Sequence, residues 1–170
     1  DTMTGRFRPF AAYLRAALAQ QAAVAELGPE HVDAGVEAAR ALPSFPDAGA
    51  ALQRLTEAGH RVSTLTNTAE NVAHRALEQA ELAGFVHAVI GADAVGAYKP
   101  DARIYRHALE RLEAAPTQAW LVAGHWWDVT GAKRAGLRTA WVARHEGMLL
   151  ETAAPPDVTA ADLGAVAEGI

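Results

Sequence analysis

Apolar and polar positions along the chain fall first into a helical rhythm, then into short apolar runs alternating with amphipathic stretches. Residues 6–27 carry Phe7, Phe10, Tyr13, Leu14, Ala17, Leu18 and Leu27 close to helical spacing, and Gly28 stops the run. Pro29 suits the first turn of a second helix that runs to Leu42. Pro43-Ser44-Phe45-Pro46 must be extended or turned, because Pro46 disfavours helix at the residue before it, and it marks a boundary. Beyond it Asp47 is placed to cap a helix through Glu57 or Ala58, with Gly59 to close it. Strands are predicted from Arg61 to Leu65, at Ala88-Val89-Ile90, at Trp120-Leu121-Val122-Ala123 and from Thr139 to Val142, with a short one at Val158. Helices are predicted from Thr68 to Leu82, from Asp101 to Leu112, from Trp127 to Ala135 and over 160–168.

This alternation implies an α/β fold, a parallel sheet covered on both faces. In such sheets ligands sit beyond the carboxyl ends of the strands. Thr66-Asn67 follows the first predicted strand there, and Gly124-His125 follows the third, so both sets belong to one rim. The organisation expected is a helical part, residues 1–42, and an α/β core, residues 43–170.

Composition narrows the function classes. A length of 170 residues supports one domain with a real core. The net charge of −5 leaves no basic footprint, so nucleic acid is not an expected partner. Without cysteine, disulfides, thiol catalysis and thiolate metal sites are excluded. No apolar run approaches the roughly 20 residues that span a membrane, and nothing at the N-terminus reads as a signal peptide. The cytoplasm is the default location. Asp1-Thr2-Met3 leads directly into a helical pattern, which suggests either processing or a piece of a longer protein.

Candidate chemistry concentrates at three strand ends. Thr66-Asn67 precedes a helix, so Thr66 is either a helix cap or part of an anion-binding turn. Lys99 lies before Pro100, which fixes the backbone that aims the amine. Asp128 falls in the first turn of a helix, where the helix dipole favours an acid. Beside Lys99, an ion pair would hold both groups charged at neutral pH. His125 is a candidate base, hydrogen-bond donor or ligand, but the seven scattered histidines form no spaced metal cluster. Trp126 and Trp127 are candidates for lining an apolar pocket.

In order, Leu65-Thr66-Asn67, Tyr98-Lys99-Pro100-Asp101 and Val122-Ala123-Gly124-His125-Trp126-Trp127-Asp128, followed by Gly131-Ala132-Lys133-Arg134-Ala135-Gly136, resemble the haloacid dehalogenase superfamily over about residues 43–145. Tyr105, six residues after the motif lysine, and the Trp-Asp ending resemble its L-2-haloacid dehalogenase branch. The resemblance implies a Rossmann-like three-layer core with strand order 5-4-1-2-3 and a helical cap, of which residues 1–42 would be the remainder. It implies hydrolysis of a short 2-haloacid: an aspartate attacks the carbon bearing the halide, and water then cleaves the ester. Lys99, Asp128, Thr66 and Asn67 would be catalytic. Thr66 and Asn67 would hold the substrate carboxylate and orient the nucleophile, Lys99 would stabilise the nucleophile's charge, and Asp128 would pair with Lys99 and help activate water. Tyr105, His125 and Trp127 would contact substrate. No cofactor is implied, magnesium entering only for a phosphatase of the same superfamily.

The chain departs from the branch in two places. Ala123-Gly124-His125 stands where Ser-Ser-Asn is usual, and His125 stands where phosphatase members carry a magnesium-binding aspartate. The first strand of the family, with its Asp-x-x-Gly-Thr nucleophile motif, has no match in the 170 residues. Its central place in the sheet would leave a gap of about 10 Å bordered by unpaired backbone. The expectation is therefore that roughly 50 further N-terminal residues, or a complementing segment from another chain, supply the strand and the attacking aspartate; a homodimer is a separate candidate partner arrangement. The 170-residue chain by itself would be inactive.

Overall fold

The computed structural model describes residues 6–170, so the unusual Asp1-Thr2-Met3 start lies outside the described residues. Seven α-helices are described: α1 (Phe10–Val24), α2 (Pro29–Arg40), α3 (Ala48–Glu57), α4 (Glu70–Gln79), α5 (Ala102–Leu112), α6 (Trp126–Arg134) and α7 (Leu163–Gly169). Five strands accompany them: β1 (Ser63–Thr66), β2 (Ala88–Gly91), β3 (Trp120–Ala123), β4 (Arg138–Val142) and β5 (Val158–Ala160). All strand pairings are parallel.

The strands form two pieces. β1 pairs with β2, Ser63 opposite Ala88 and Thr66 opposite Gly91. β3, β4 and β5 form the second piece in that order. Among the described residues β1 and β3 each keep one edge without a strand partner. This is the arrangement expected of the superfamily core without its first strand. All four residues of β1 are half-buried, and Ser63 Oγ and Thr64 Oγ1 are buried with no hydrogen-bond partner.

Two apolar clusters hold the α/β part. Ile104, Tyr105, Leu109, Leu121, Ala132 and Leu137 join α5, β3 and the α6–β4 junction, while Ala140, Val142, Ala160 and Val166 pack α7 against β4 and β5. α1 and α2 lie against each other. Phe7, Phe10 and Tyr13 surround the Tyr98 ring at centroid distances of 5.1, 6.4 and 6.0 Å. The Tyr98 hydroxyl donates to the Arg8 carbonyl. The N-terminal segment is thereby seated on the residue immediately before Lys99.

Several boundaries differ from the sequence expectation, for local reasons. α1 and α4 stop before Gly28 and Gly84 because Glu26 and Glu81 themselves adopt left-handed backbone, with φ of 55° and 58°. The next amide then folds back, Leu27 N to Ala22 O and Leu82 N to Leu77 O, as in a Schellman ending. Arg61 does not enter β1, and its guanidinium donates instead to Leu112 O at the end of α5. Asp47 precedes α3 without capping it by its side chain. Its carboxylate accepts from Leu163 N, at the start of α7, and from Arg144.

Candidate active site

β1 ends at Thr66, and the chain turns there because Thr66 Oγ1 accepts the Thr68 amide at 3.2 Å. That hydroxyl does not cap α4, whose first residue is Glu70. Instead Asp93 Oδ1, on the turn after β2, accepts the Glu70 amide at 3.2 Å. Asn67 reaches across to the loop after β2, where its Oδ1 accepts the Lys99 amide at 2.7 Å. The side chain of Asn67 thus fixes the backbone from which the Lys99 amine projects.

Lys99 Nζ donates to Asp128 Oδ2 at 2.7 Å, with 11% of the lysine and 6% of the aspartate side chain exposed. At that burial the pair is held by geometry and further hydrogen bonds, since the Coulombic attraction must offset the loss of hydration. The further bond is present. The Tyr105 hydroxyl donates to Asp128 Oδ1 at 3.0 Å, so both carboxylate oxygens are engaged. Burial first, then the negative charge of Asp128, pushes the Tyr105 phenol far above its ordinary range. It remains a donor throughout the working pH range. Gly131, one turn along α6, makes this approach possible: a Cβ there would lie 2.6 Å from both the Tyr105 hydroxyl and Pro100 Cβ.

Tyr105 is fully buried, so the expectation that it touches substrate is corrected: it reaches the rim only through Asp128. His125 and Trp127 belong to the same helix start. The His125 side chain is 56% exposed, and its ring stacks on Trp127 at 5.3 Å and 14°. Glu146, in the loop after β4, accepts from the Trp126 amide at 2.8 Å and lies 2.9 Å from His125 Nδ1. Sequence reading did not single out Glu146. A cavity of about 660 Å³ opens beside Asn67, between Phe7, Pro9 and Phe10 on one side and Glu70, His74 and Asp93 on the other.

Lys99, Asp128, Asn67 and Tyr105 are brought together by the segments that follow β1 and β2 and by α5 and α6. The sequence model of the haloacid dehalogenase-like hydrolases matches residues 3–136. The chain belongs to this family. The family assignment agrees with its similarity to (S)-2-haloacid dehalogenase 4A of Burkholderia cepacia, 33% identical over 109 residues, which are 64% of this chain and 47% of that protein. Phosphoserine phosphatase of Thermus thermophilus is 34% identical over 151 residues, 88% of this chain and 60% of that protein. The structure of L-2-haloacid dehalogenase from Xanthobacter autotrophicus with chloropropionic acid covalently bound matches with a TM-score of 0.90 at 26% identity, covering 98% of this chain and 78% of that one. The chain spans about half the length of the curated dehalogenases it matches.

As a member of a family that includes phosphatases, the chain can be tested for a magnesium site. The residues present do not fit one. Asp128 already accepts from an ammonium and a phenol, and His125 offers nitrogen where a hard cation takes oxygen. Among the described residues no three His, Asp or Glu side chains converge as metal ligands. No described helix is long and apolar enough to cross a membrane.

Proposed function

We propose that the whole protein hydrolyses the carbon–halogen bond of a short 2-haloacid through an ester on an aspartate. The observation that carries this reading is the closed Lys99–Asp128–Tyr105 cluster at the ends of β2 and β3, in which the carboxylate is spent on orienting an ammonium. An ammonium held so stabilises a neighbouring carboxylate nucleophile without a metal. The attacking aspartate comes from a strand between β1 and β3, supplied by a complementing segment or a second chain. Its carboxylate displaces halide, forming a C–O bond as the carbon–halogen bond breaks, and water then cleaves the ester. Thr66 and Asn67 are assigned to the substrate carboxylate end, with the apolar wall of Phe7, Pro9 and Phe10 beside it. Residues 1–42 are read as the remainder of a cap and residues 43–170 as the core.

The test is conversion of 2-chloropropionate by the full-length protein, followed as chloride and 2-hydroxy acid in equal amounts. A second reading, a magnesium-dependent phosphatase, is favoured by the similarity to the Thermus phosphoserine phosphatase. It requires phosphate release from a small phosphomonoester that EDTA abolishes. Chloride release unaffected by EDTA supports the first reading and counts against the second.

A further inference from the structure

Glu146 and His125 make an arrangement that the cluster around Asp128 does not use. His125 directly precedes α6, and its carbonyl accepts the Asp128 and Val129 amides at 3.1 and 3.2 Å, so its backbone is fixed by the helix start. Its ring is confined on one face by Trp127, stacked 5.3 Å away. Glu146 is only 22% exposed. One of its carboxylate oxygens accepts the Trp126 amide at 2.8 Å, and the other lies 2.9 Å from His125 Nδ1. An ionised carboxylate has no proton to give, so the proton in the second contact belongs to Nδ1. In the neutral imidazole this leaves the lone pair on Nε2.

We infer that Glu146 is a positioning residue that fixes the His125 tautomer, and that Nε2 of His125 accepts the proton of the hydrolytic water. The inference rests on the hydrolase reading above. His125 ends the segment Ala123-Gly124-His125, which leads from β3 into the helix that carries Asp128. In the step, a water O–H bond breaks and its proton moves to Nε2. The hydroxide electron pair forms a bond to the carbonyl carbon of the aspartyl ester, the ester C–O bond breaks, and the leaving alkoxide takes the proton back from Nε2. The imidazole is thereby regenerated, and the aspartic acid formed from the ester releases its remaining proton to bulk water, which restores the carboxylate and accounts for the one proton released with each halide.

Glu146→Gln separates positioning from mere packing because it preserves size. The Trp126 amide can only donate, so the glutamine must turn its single oxygen toward it and present its NH2 to His125. Nδ1 then becomes the acceptor, and the proton moves to Nε2. The experiment is long-range nitrogen–proton NMR on histidine-labelled full-length protein at alkaline pH, with the His125 signal identified by its loss in His125→Ala. The expected result is the Nδ1–H tautomer in the unmutated protein and the Nε2–H tautomer in Glu146→Gln. An Nε2–H ring in the unmutated protein, or no change on substitution, overturns the positioning role.

Turnover of 2-chloropropionate by the same proteins tests the proton role. Glu146→Gln and His125→Ala should each lower kcat by roughly 10- to 100-fold with KM within about twofold, and the double variant should lose no more than either single one. Equal kcat in all four proteins overturns it. If even the unmutated full-length protein releases no halide, the hydrolase reading and the proton role fall together, while the tautomer measurement still decides what Glu146 does.

Discussion

The Tyr105 hydroxyl stands 3.0 Å from Asp128 Oδ1, on the side opposite the Lys99 amine, and the tyrosine itself has no exposed surface. The phenol therefore acts on the rim only by holding the carboxylate in one orientation. Tyr105→Phe removes that donor and leaves the ring in place. It should lower stability by about 1 kcal/mol and reduce turnover by about tenfold with the fold intact, as read by circular dichroism and halide release. Because the phenol stays protonated across the working range, the unmutated enzyme should show no alkaline loss of activity attributable to Tyr105.

Gly131→Ala introduces a methyl group 2.6 Å from both Pro100 Cβ and the Tyr105 hydroxyl. Neither atom belongs to a flexible side-chain end, so α6 must move away from α5. Overpacking of this kind typically costs about 1–3 kcal/mol. Thermal unfolding should register that loss. Combined with Tyr105→Phe, which removes one of the two clashing atoms, the total should fall short of the sum of the single effects.

Three exposed glutamates, Glu26, Glu81 and Glu113, have φ between 50° and 58°, in the left-handed region. A side chain there opposes the conformation that lets each helix end. Glu81→Gly should raise stability by about 0.5–1 kcal/mol, measurable as a higher midpoint in urea with an unchanged slope.

Asp157 joins β4 to α6: one oxygen accepts Lys133 Nζ at 2.5 Å and the other accepts the Thr139 amide at 2.8 Å. The Lys133 bond, reinforced by the Thr139 amide, holds its carboxyl below the usual carboxylate range. A carboxyl whose folded value is lowered contributes its full stabilisation above the unfolded value, about 3.9, and loses it as pH falls through the folded value. Asp157→Asn should therefore be less stable near pH 7 by about 1 kcal/mol. The difference should close as acidification carries the pH through the lowered folded value, and a gap that persists once the carboxyl is protonated would count against the assignment.

Much of this architecture was legible in the residues. The alternation of apolar runs placed all five strands, and Gly59 and Gly136 do close α3 and α6 with φ of 89° and 88°. Lys99 and Asp128 were legible because each follows a strand end in a motif with restricted backbone. Glu146 was not, because it sits in an irregular loop after β4 and gains its meaning only when that loop folds over the start of α6. Asp93 and Asp47 escaped for a similar reason. Each serves the amide of a helix distant in sequence, at Glu70 and Leu163, whereas local pattern reading looks for a cap immediately before the helix. Tyr105 was placed in the right neighbourhood but on the wrong side of Asp128, since periodicity does not tell which face of α5 lies behind the carboxylate.

The account stands or falls on Lys99 as the cation that serves the nucleophile. The most direct measurement is chloride release from 2-chloropropionate by the full-length protein and its Lys99→Ala variant. Lys99→Arg, which keeps the charge, serves to check that Asp128 still has a partner and the fold is retained. The account predicts a loss of roughly 100-fold or more in Lys99→Ala, in line with removal of a preorganised charge from a reacting centre, with a folded protein by circular dichroism. Chloride release at the unmutated rate from a folded Lys99→Ala protein would contradict it.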